Sequence, residues 1–305
     1  MTDVRSDIRP RESRTDLPRQ AVLIVNARSR RGRKLYRQAV RLLKDSGIEL
    51  LQRHAVRKPE YLTKHVEEAV AAGAPMIIVG GGDGSLSSAV DYLVGKDTVF
   101  ALLPLGTANS FARSMNIPLD LEGAIDVIAN GVRRRVDLGM VDNDYYANNA
   151  AIGIAPQIAE SVPHWLKGTF GKAGYLFWAA RVLVSYKPFT VIVNGERMDA
   201  TEVRIANGGY HGGTELIDDA EVDSGRIVVQ VVTGTGRRHL AWNWASSILR
   251  LPARHATTRE ITGREMRIET EPRLPISIDG EVLAKTPVTA RVARAVIEVA
   301  APRES

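Results

Sequence analysis

The chain contains no cysteine, which excludes disulfides and thiolate metal centres and fits a reducing compartment. No apolar run approaches the roughly 20 residues a helix needs to cross a bilayer. Residues 1–20, MTDVRSDIRPRESRTDLPRQ, mix acids with arginines and lack the apolar centre of a secretory signal. They read as a flexible tail on a cytoplasmic protein. Internal repeats and low-complexity stretches are also missing.

What is there is a globular composition with a basic balance. Hydrophobic residues make up 44% and charged residues 25% of 305, enough for two ordinary domains. The net charge is +6 and the pI about 9.6, which points to anionic partners: nucleic acid, a membrane surface or phosphorylated substrates. The charge gathers in RSRRGRK (Arg28–Lys34) and RRR (Arg133–Arg135). Neither cluster is interleaved with aromatics as a single-strand-binding groove would be, so no nucleic-acid partner is expected. A solvated basic face is the plain alternative.

Residues 21–131 alternate between short apolar runs and helical spacing. AVLIV (Ala21–Val25), IELLQRHAV, MIIV (Met76–Val79) and VFALLP (Val99–Pro104) read as strands. Between them Leu35, Ala39, Leu42 and Leu43, then Tyr61, Leu62, Val66, Ala69 and Val70, then Leu86, Ala89, Val90 and Leu93 mark helices. The expectation is an α/β domain with a parallel sheet flanked by helices. Residues 132–290 read instead as many strands, with a hairpin turn at Asn194-Gly195, hence a mostly antiparallel, sandwich-like second domain. Helical patterns near Trp165–Tyr186 and His239–Leu251 interrupt it. Residues 291–305 read as a C-terminal strand that is a candidate for returning to the first domain.

Ligands of open parallel sheets bind at the carboxyl ends of the strands. Three loops leave such ends: VNARSRRGRK, VGGGDGSLS and LPLGTANSFARSM. Each places glycines or small hydroxyl residues where a helix would begin, so backbone amides face any anion there, and Arg28, Arg30 and Arg31 in the first loop and Arg113 in the third are candidate cations for it. GGGDGS lacks the Gly-Lys-[Ser/Thr] of a Walker loop, and Ser87 stands where the dinucleotide fingerprint needs its third glycine. Read locally, Asp83 is a helix cap and the Asp279-Gly280-Glu281 stretch a hairpin turn.

Gly81-Gly82-Asp83-Gly84-Ser85 resembles the GGDG[TS] motif of diacylglycerol-kinase-like lipid kinases, which NAD kinases and phosphofructokinases share. Four further segments are similar to the lipid kinases. Asn26 to Gly32 resembles their first loop, with Ala27 in place of its proline. Pro104, Gly106, Thr107, Asn109, Phe111, Ala112 and Arg113 resemble P-x-G-T-x-N-D-F-A-R, with Ser110 in place of the aspartate. Asn149 to Gly153 resembles the segment opening their second domain, and Asp279–Glu281 their catalytic DGE. The likeness runs in order across the chain from about Ala21.

The resemblance implies transfer of the ATP γ-phosphate to a lipid hydroxyl. Asp279 would be general base, with Glu281 assisting. Asn26, Arg28, Ser29, Gly32, Gly81, Gly82, Asp83, Gly84, Ser85, Gly106, Thr107 and Asn109 would hold ATP, and Asp83 would face Mg²⁺. If the strand through them is regular, Asp279 and Glu281 share a face. Related bacterial enzymes carry Asp-Asp-Gly near a second Mg²⁺; here Ser224 interrupts it, leaving Asp223 as metal candidate, with an acidic loop as the alternative. The Trp- and Arg-bearing segments at 165–186 and 237–254 suit a peripheral membrane contact, or simply pack on the second domain. Diacylglycerol, a sphingoid base, a ceramide-like lipid and phosphatidylglycerol are all open as acceptors, and a homodimer is compatible with the sequence. The alternatives are an NAD-kinase-like or other small-molecule kinase, and a non-catalytic nucleotide-binding protein.

Overall fold

The computed structural model describes residues 16–28, 30–154, 156, 187–218, 220–234 and 257–303. Ser29, Asp219 and the segments expected to be helical near Trp165–Tyr186 and His239–Leu251 lie outside the described residues.

The first part of the chain runs β1 (Gln20–Asn26), α1 (Arg30–Asp45), β2 (Glu49–Val56), α2 (Pro59–Ala71), β3 (Met76–Gly81), α3 (Asp83–Val90), β4 (Val99–Pro104), α4 (Ser110–Ser114) and α5 (Leu121–Asn130). The local signals are ordinary ones. Pro59 opens α2, and the Asp120 carboxylate caps α5 by accepting from the Gly123 amide at 2.7 Å. β3 and β4 are buried along their whole length, as parallel strands covered on both faces must be. The parallel order is β2-β1-β3-β4. β2 lies at the edge and is mostly exposed. The chain leaves β1 toward β2 on one side, then crosses to β3 on the other. That reversal puts a crevice at the carboxyl ends of β1 and β3.

The second part runs β5 (Val132–Val141), β6 (Asp144–Tyr146), β7 (Asn149–Gly153), β8 (Phe189–Val193), β9 (Glu196–Ala206), β10 (Tyr210–His211), β11 (Thr214–Glu215), β12 (Ile227–Thr233), β13 (Thr258–Gly263), β14 (Glu265–Glu271), β15 (Pro275–Ile278), β16 (Glu281–Lys285) and β17 (Val288–Ala301). From β5 to β16 every strand pairing among the described residues of this part is antiparallel. The β8–β9 hairpin turns at Asn194 and Gly195, with φ of 51° and 89°, as its Asn-Gly pair demands.

β17 joins the parts. It pairs antiparallel with β5 and β14, and its end pairs parallel with β4 through Glu298 and Val299. Val288 and Ala290 lie in the core of the second part, whereas Ile297, Val299, Ala300 and Ala301 lie in the core of the first. The β5–β17 register shifts between Ala293 and Ile297, and Ala295 there has φ +52°. The buried Asp137 carboxylate fills the irregularity. It accepts from Ala295 N at 2.7 Å, an amide that the broken ladder leaves over, and from Gly225 N in the loop before β12 at 2.6 Å.

β5 also corrects the reading of Arg133–Arg135 as a solvated basic face. Arg133 and Arg135 point to one side of the strand and share Glu298, at 2.9 and 3.3 Å. Arg134 points to the other side and pairs with Asp223. Much of this positive charge is therefore met inside the protein. Gly139 on the same strand has a different constraint, because a Cβ there would run into the ring of the fully buried Tyr146. Gly139→Ala is expected to lower stability by about 1–3 kcal/mol through this overpacking, read by denaturant unfolding; an unchanged midpoint would contradict it.

Candidate active site

Glycine lets the three loops at the crevice come together. A Cβ on Gly80 would meet the Val25 side chain at 2.9 Å, and one on Gly106 would meet Gly82 Cα at 2.5 Å. Real side chains do not tolerate such contacts, so the loops after β3 and β4 touch through bare backbone. Asn109, at φ +49°, organises the second of them. Its Oδ1 accepts from Gly106 N at 3.0 Å, and its Nδ2 donates to Pro104 O and Gly106 O at 3.3 and 3.1 Å. In the first loop, Asn26 Oδ1 accepts from Arg28 N at 3.3 Å, which fixes the turn out of β1.

Asp83 is the first residue of α3, one place inside the Gly82 cap. Its carboxylate reaches two other elements. Oδ1 accepts from Phe111 N at the start of α4 (3.3 Å) and from Asn148 Nδ2, beyond β6 (3.4 Å). The same Asn148 gives its backbone N–H to Asp279 Oδ1 at 3.2 Å. Asn148 thus touches both carboxylates. Its own turn is held by Asn207, whose Nδ2 donates to Asp137 O and Ala147 O at 2.9 and 3.2 Å.

Asp279 sits at the first turn position of the β15–β16 hairpin. Ile278 pairs with Glu281, and the two residues between, Asp279 and Gly280, have φ of 45° and 95°. This is a two-residue turn with both φ positive, which Asp-Gly adopts readily. The turn aims the carboxylate at the start of β7. Oδ2 accepts from Ala147 N at 3.0 Å, and Oδ1 from Asn148 N and Asn149 N, both at 3.2 Å. Burial pushes the Asp279 carboxyl up to about 6; the three amides pull it back, and the negative charge of Asp83 adds to the rise. The fully buried Tyr146 phenol beside it is pushed up too, by burial first and by Asp279 second.

The structure therefore brings Gly81, Gly82, Asp83, Gly106, Asn109 and Asp279 around one crevice. Ser85 lies against Gly81, Gly84 and Thr107 are exposed at the rim, and Gly32 is buried in the first turn of α1. Three features differ from the sequence reading. Glu281 does not share a face with Asp279: the turn interrupts the alternation, leaving Glu281 exposed on β16. Arg113, a candidate cation, turns back to Ala108 O at 3.0 Å. Asp223, the metal candidate, is held instead in an ion pair with Arg134. Ser110 accepts from Gly213 N at 3.2 Å, docking the tip of the β10–β11 hairpin on α4. Sequence reasoning missed Asn148. NNAAIG gave the segment, but nothing in it showed which asparagine side chain faces Asp83.

Two family models cover this architecture. The diacylglycerol kinase catalytic domain matches residues 20–141, and the YegS C-terminal NAD kinase beta sandwich-like domain matches residues 149–301. The chain belongs to the diacylglycerol-kinase-like lipid kinase family. A relative named "Probable lipid kinase YegS-like" from Enterobacter sp. (strain 638) is 32% identical over 227 residues, covering 71% of this chain and 75% of that protein. "Probable lipid kinase YegS" from Escherichia fergusonii is 30% identical over 229 residues, covering 72% of this chain and 76% of that one. The crystal structure of a diacylglycerol kinase from Bacillus anthracis str. Sterne superposes with a TM-score of 0.72 at 20% identity, covering 93% of this chain and 97% of that one, a likeness of fold.

In this lipid kinase family member, a ¹³C-observed titration of Asp279 is expected to give a midpoint near 6 rather than 3.8. Asp83→Asn is expected to lower it by removing the like charge. A carboxyl held above its unfolded value supports folding fully below about 4, and that support is lost as pH rises through about 6. A midpoint near 4 in the intact protein would contradict this geometry.

Proposed function

We propose that the chain transfers the γ-phosphate of ATP to the hydroxyl of a lipid, with Asp279 as general base. The observation that carries the reading is a carboxylate of raised proton affinity, held at the crevice by three amides and linked through Asn148 to the glycine loops. A base poised near neutral pH is what removal of a hydroxyl proton needs. The names of the relatives favour a lipid acceptor over NAD.

The donor set suits a nucleotide with a divalent cation. Both hydrogen bonds of Asp83 among the described residues go to Oδ1, which leaves Oδ2 for a cation. Gly84, exposed and with nothing within 4 Å of where a Cβ would stand, presents open backbone at the head of α3. Magnesium held at Asp83 would neutralise phosphate charge, and this answers why a carboxylate stands in a phosphate loop. The amides of the loops after β1, β3 and β4 would hold the phosphates, with Asn26 and Asn109 keeping those loops in shape. The Arg134 partner of Asp223 argues against a cation there.

In the transfer, the acceptor oxygen attacks the γ-phosphorus as its proton passes to an Asp279 carboxylate oxygen, and the bond to the leaving phosphate oxygen breaks. The amides of Ala147, Asn148 and Asn149 fix the carboxylate's orientation, so less ordering is required at the moment of reaction. No helix among the described residues is long and apolar enough to cross a membrane, so a lipid would be met at the surface of a bilayer.

The test is transfer of labelled γ-phosphate to a panel of lipids in mixed micelles. Asp279→Asn is expected to lower turnover by about 10²- to 10⁴-fold while nucleotide binding persists. Undiminished turnover would remove Asp279 from the role of base, and phosphorylation of NAD with none of any lipid would overturn the acceptor class.

A further inference from the structure

The orientation of the Asn148 amide follows from its partner. A carboxylate accepts and does not donate, so Asn148 must present Nδ2 to Asp83. Its Oδ1 is then turned away. Asn148 is only 4% exposed, and that Oδ1 is buried with no hydrogen-bond partner among the described residues. A buried acceptor left open costs about 1–3 kcal/mol, so it marks a place where a donor belongs.

A second open atom lies on the β10–β11 hairpin, which packs on α4, the helix that bonds Asp83. His211 Nδ1 is buried and likewise has no hydrogen-bond partner among the described residues. Its position is fixed by a tight turn at Gly212-Gly213, with φ of 58° and 85°. The base of the hairpin is closed by Leu216 N donating to Gly209 O at 3.0 Å. The tip is docked on α4 through Gly213 N and Ser110 Oγ, and α4 in turn gives its Phe111 amide to Asp83. The ring lies within electrostatic reach of Asp83 as well as of Arg204 and Glu202. Burial, then Arg204, hold the imidazole below its usual range and so neutral, able to accept or donate at Nδ1. The mechanism above uses neither open atom.

We infer that Asn148 and His211 form a subsite that reads the acceptor lipid, taking a hydrogen-bond donor, an O–H or N–H, carried beside the hydroxyl that is phosphorylated. This rests on the lipid-kinase reading and narrows it. An acceptor with an amide, amine or second hydroxyl at that place satisfies Asn148 Oδ1. A diacylglycerol has an ester there, which offers only acceptors and leaves Oδ1 unpaired. His211, whose tautomer is free to adjust, then bonds the other side of the same group.

The experiment compares a matched pair of acceptors in identical mixed micelles with ATP: a 1,2-diacylglycerol and its analogue in which the 2-ester oxygen is replaced by N–H. The amide is expected to show kcat/KM about 10- to 100-fold higher, the range of one hydrogen bond lost against an open polar group. His211→Phe is expected to shrink that ratio, and His211→Gln to retain more of it. Equal kcat/KM for the two lipids with the wild-type protein would overturn the inference whatever the variants do. Phosphorylation of neither lipid, nor of any other in the panel, would overturn the lipid-kinase reading itself, a result distinct from equal turnover.

Discussion

The β5–β17 ribbon is the element on which the arrangement of the site depends. Its two ends belong to different cores, so the first and second parts of the chain are held in one geometry by a continuous piece of sheet. Such a ribbon has to change direction between the cores, and the register shift at Ala293–Ile297 is where it does so. A break in a ladder strands amides, and Asp137 accepts from the one at Ala295 and from Gly225 in the loop before β12. The same residue's carbonyl accepts from Asn207, which also holds Ala147. One buried carboxylate and one asparagine therefore connect the bend of the ribbon to the turn that grips Asp279.

From that turn the logic of the site is electrostatic. Asp83 and Asp279 are contributed by different parts of the chain, and each raises the cost of the other's charge. The three amides on Asp279 counter the effect without abolishing it, because burial outweighs them. A carboxylate with more support would be too weak a base, and one with less would stay protonated at neutral pH. Asp83 is stabilised differently, by one amide from α4 and one side-chain amide from Asn148, both on Oδ1. The pair divides into one carboxylate suited to protons and one suited to a cation.

Much of this was legible in the sequence, for physical reasons. Fully buried parallel strands leave unbroken apolar runs, which is why β1, β3 and β4 could be placed. Asn194-Gly195 and Asp279-Gly280 announced their turns because few other pairs accept two positive φ values. At Asp279 the turn residue and the proposed base are one and the same, since the turn is what aims the side chain. What stayed hidden were properties of tertiary neighbours. The arginines of β5 looked solvated because Glu298 and Asp223 are distant in sequence. Glu281 was paired with Asp279 on an alternation that a two-residue turn does not obey. Asn148 and His211 gained their significance only from what Asp83 does to their surroundings, and no local pattern encodes that.

The central claim, that Asp279 acts as the base with a proton affinity set by this environment, is tested most directly by the pH dependence of kcat/KM for lipid phosphorylation by the intact chain. That quantity reports the essential base of the unliganded enzyme. The account predicts an acid limb of unit slope with an apparent midpoint near 6, the value set by burial and by Asp83. A profile that stays flat down to pH 4 would contradict it.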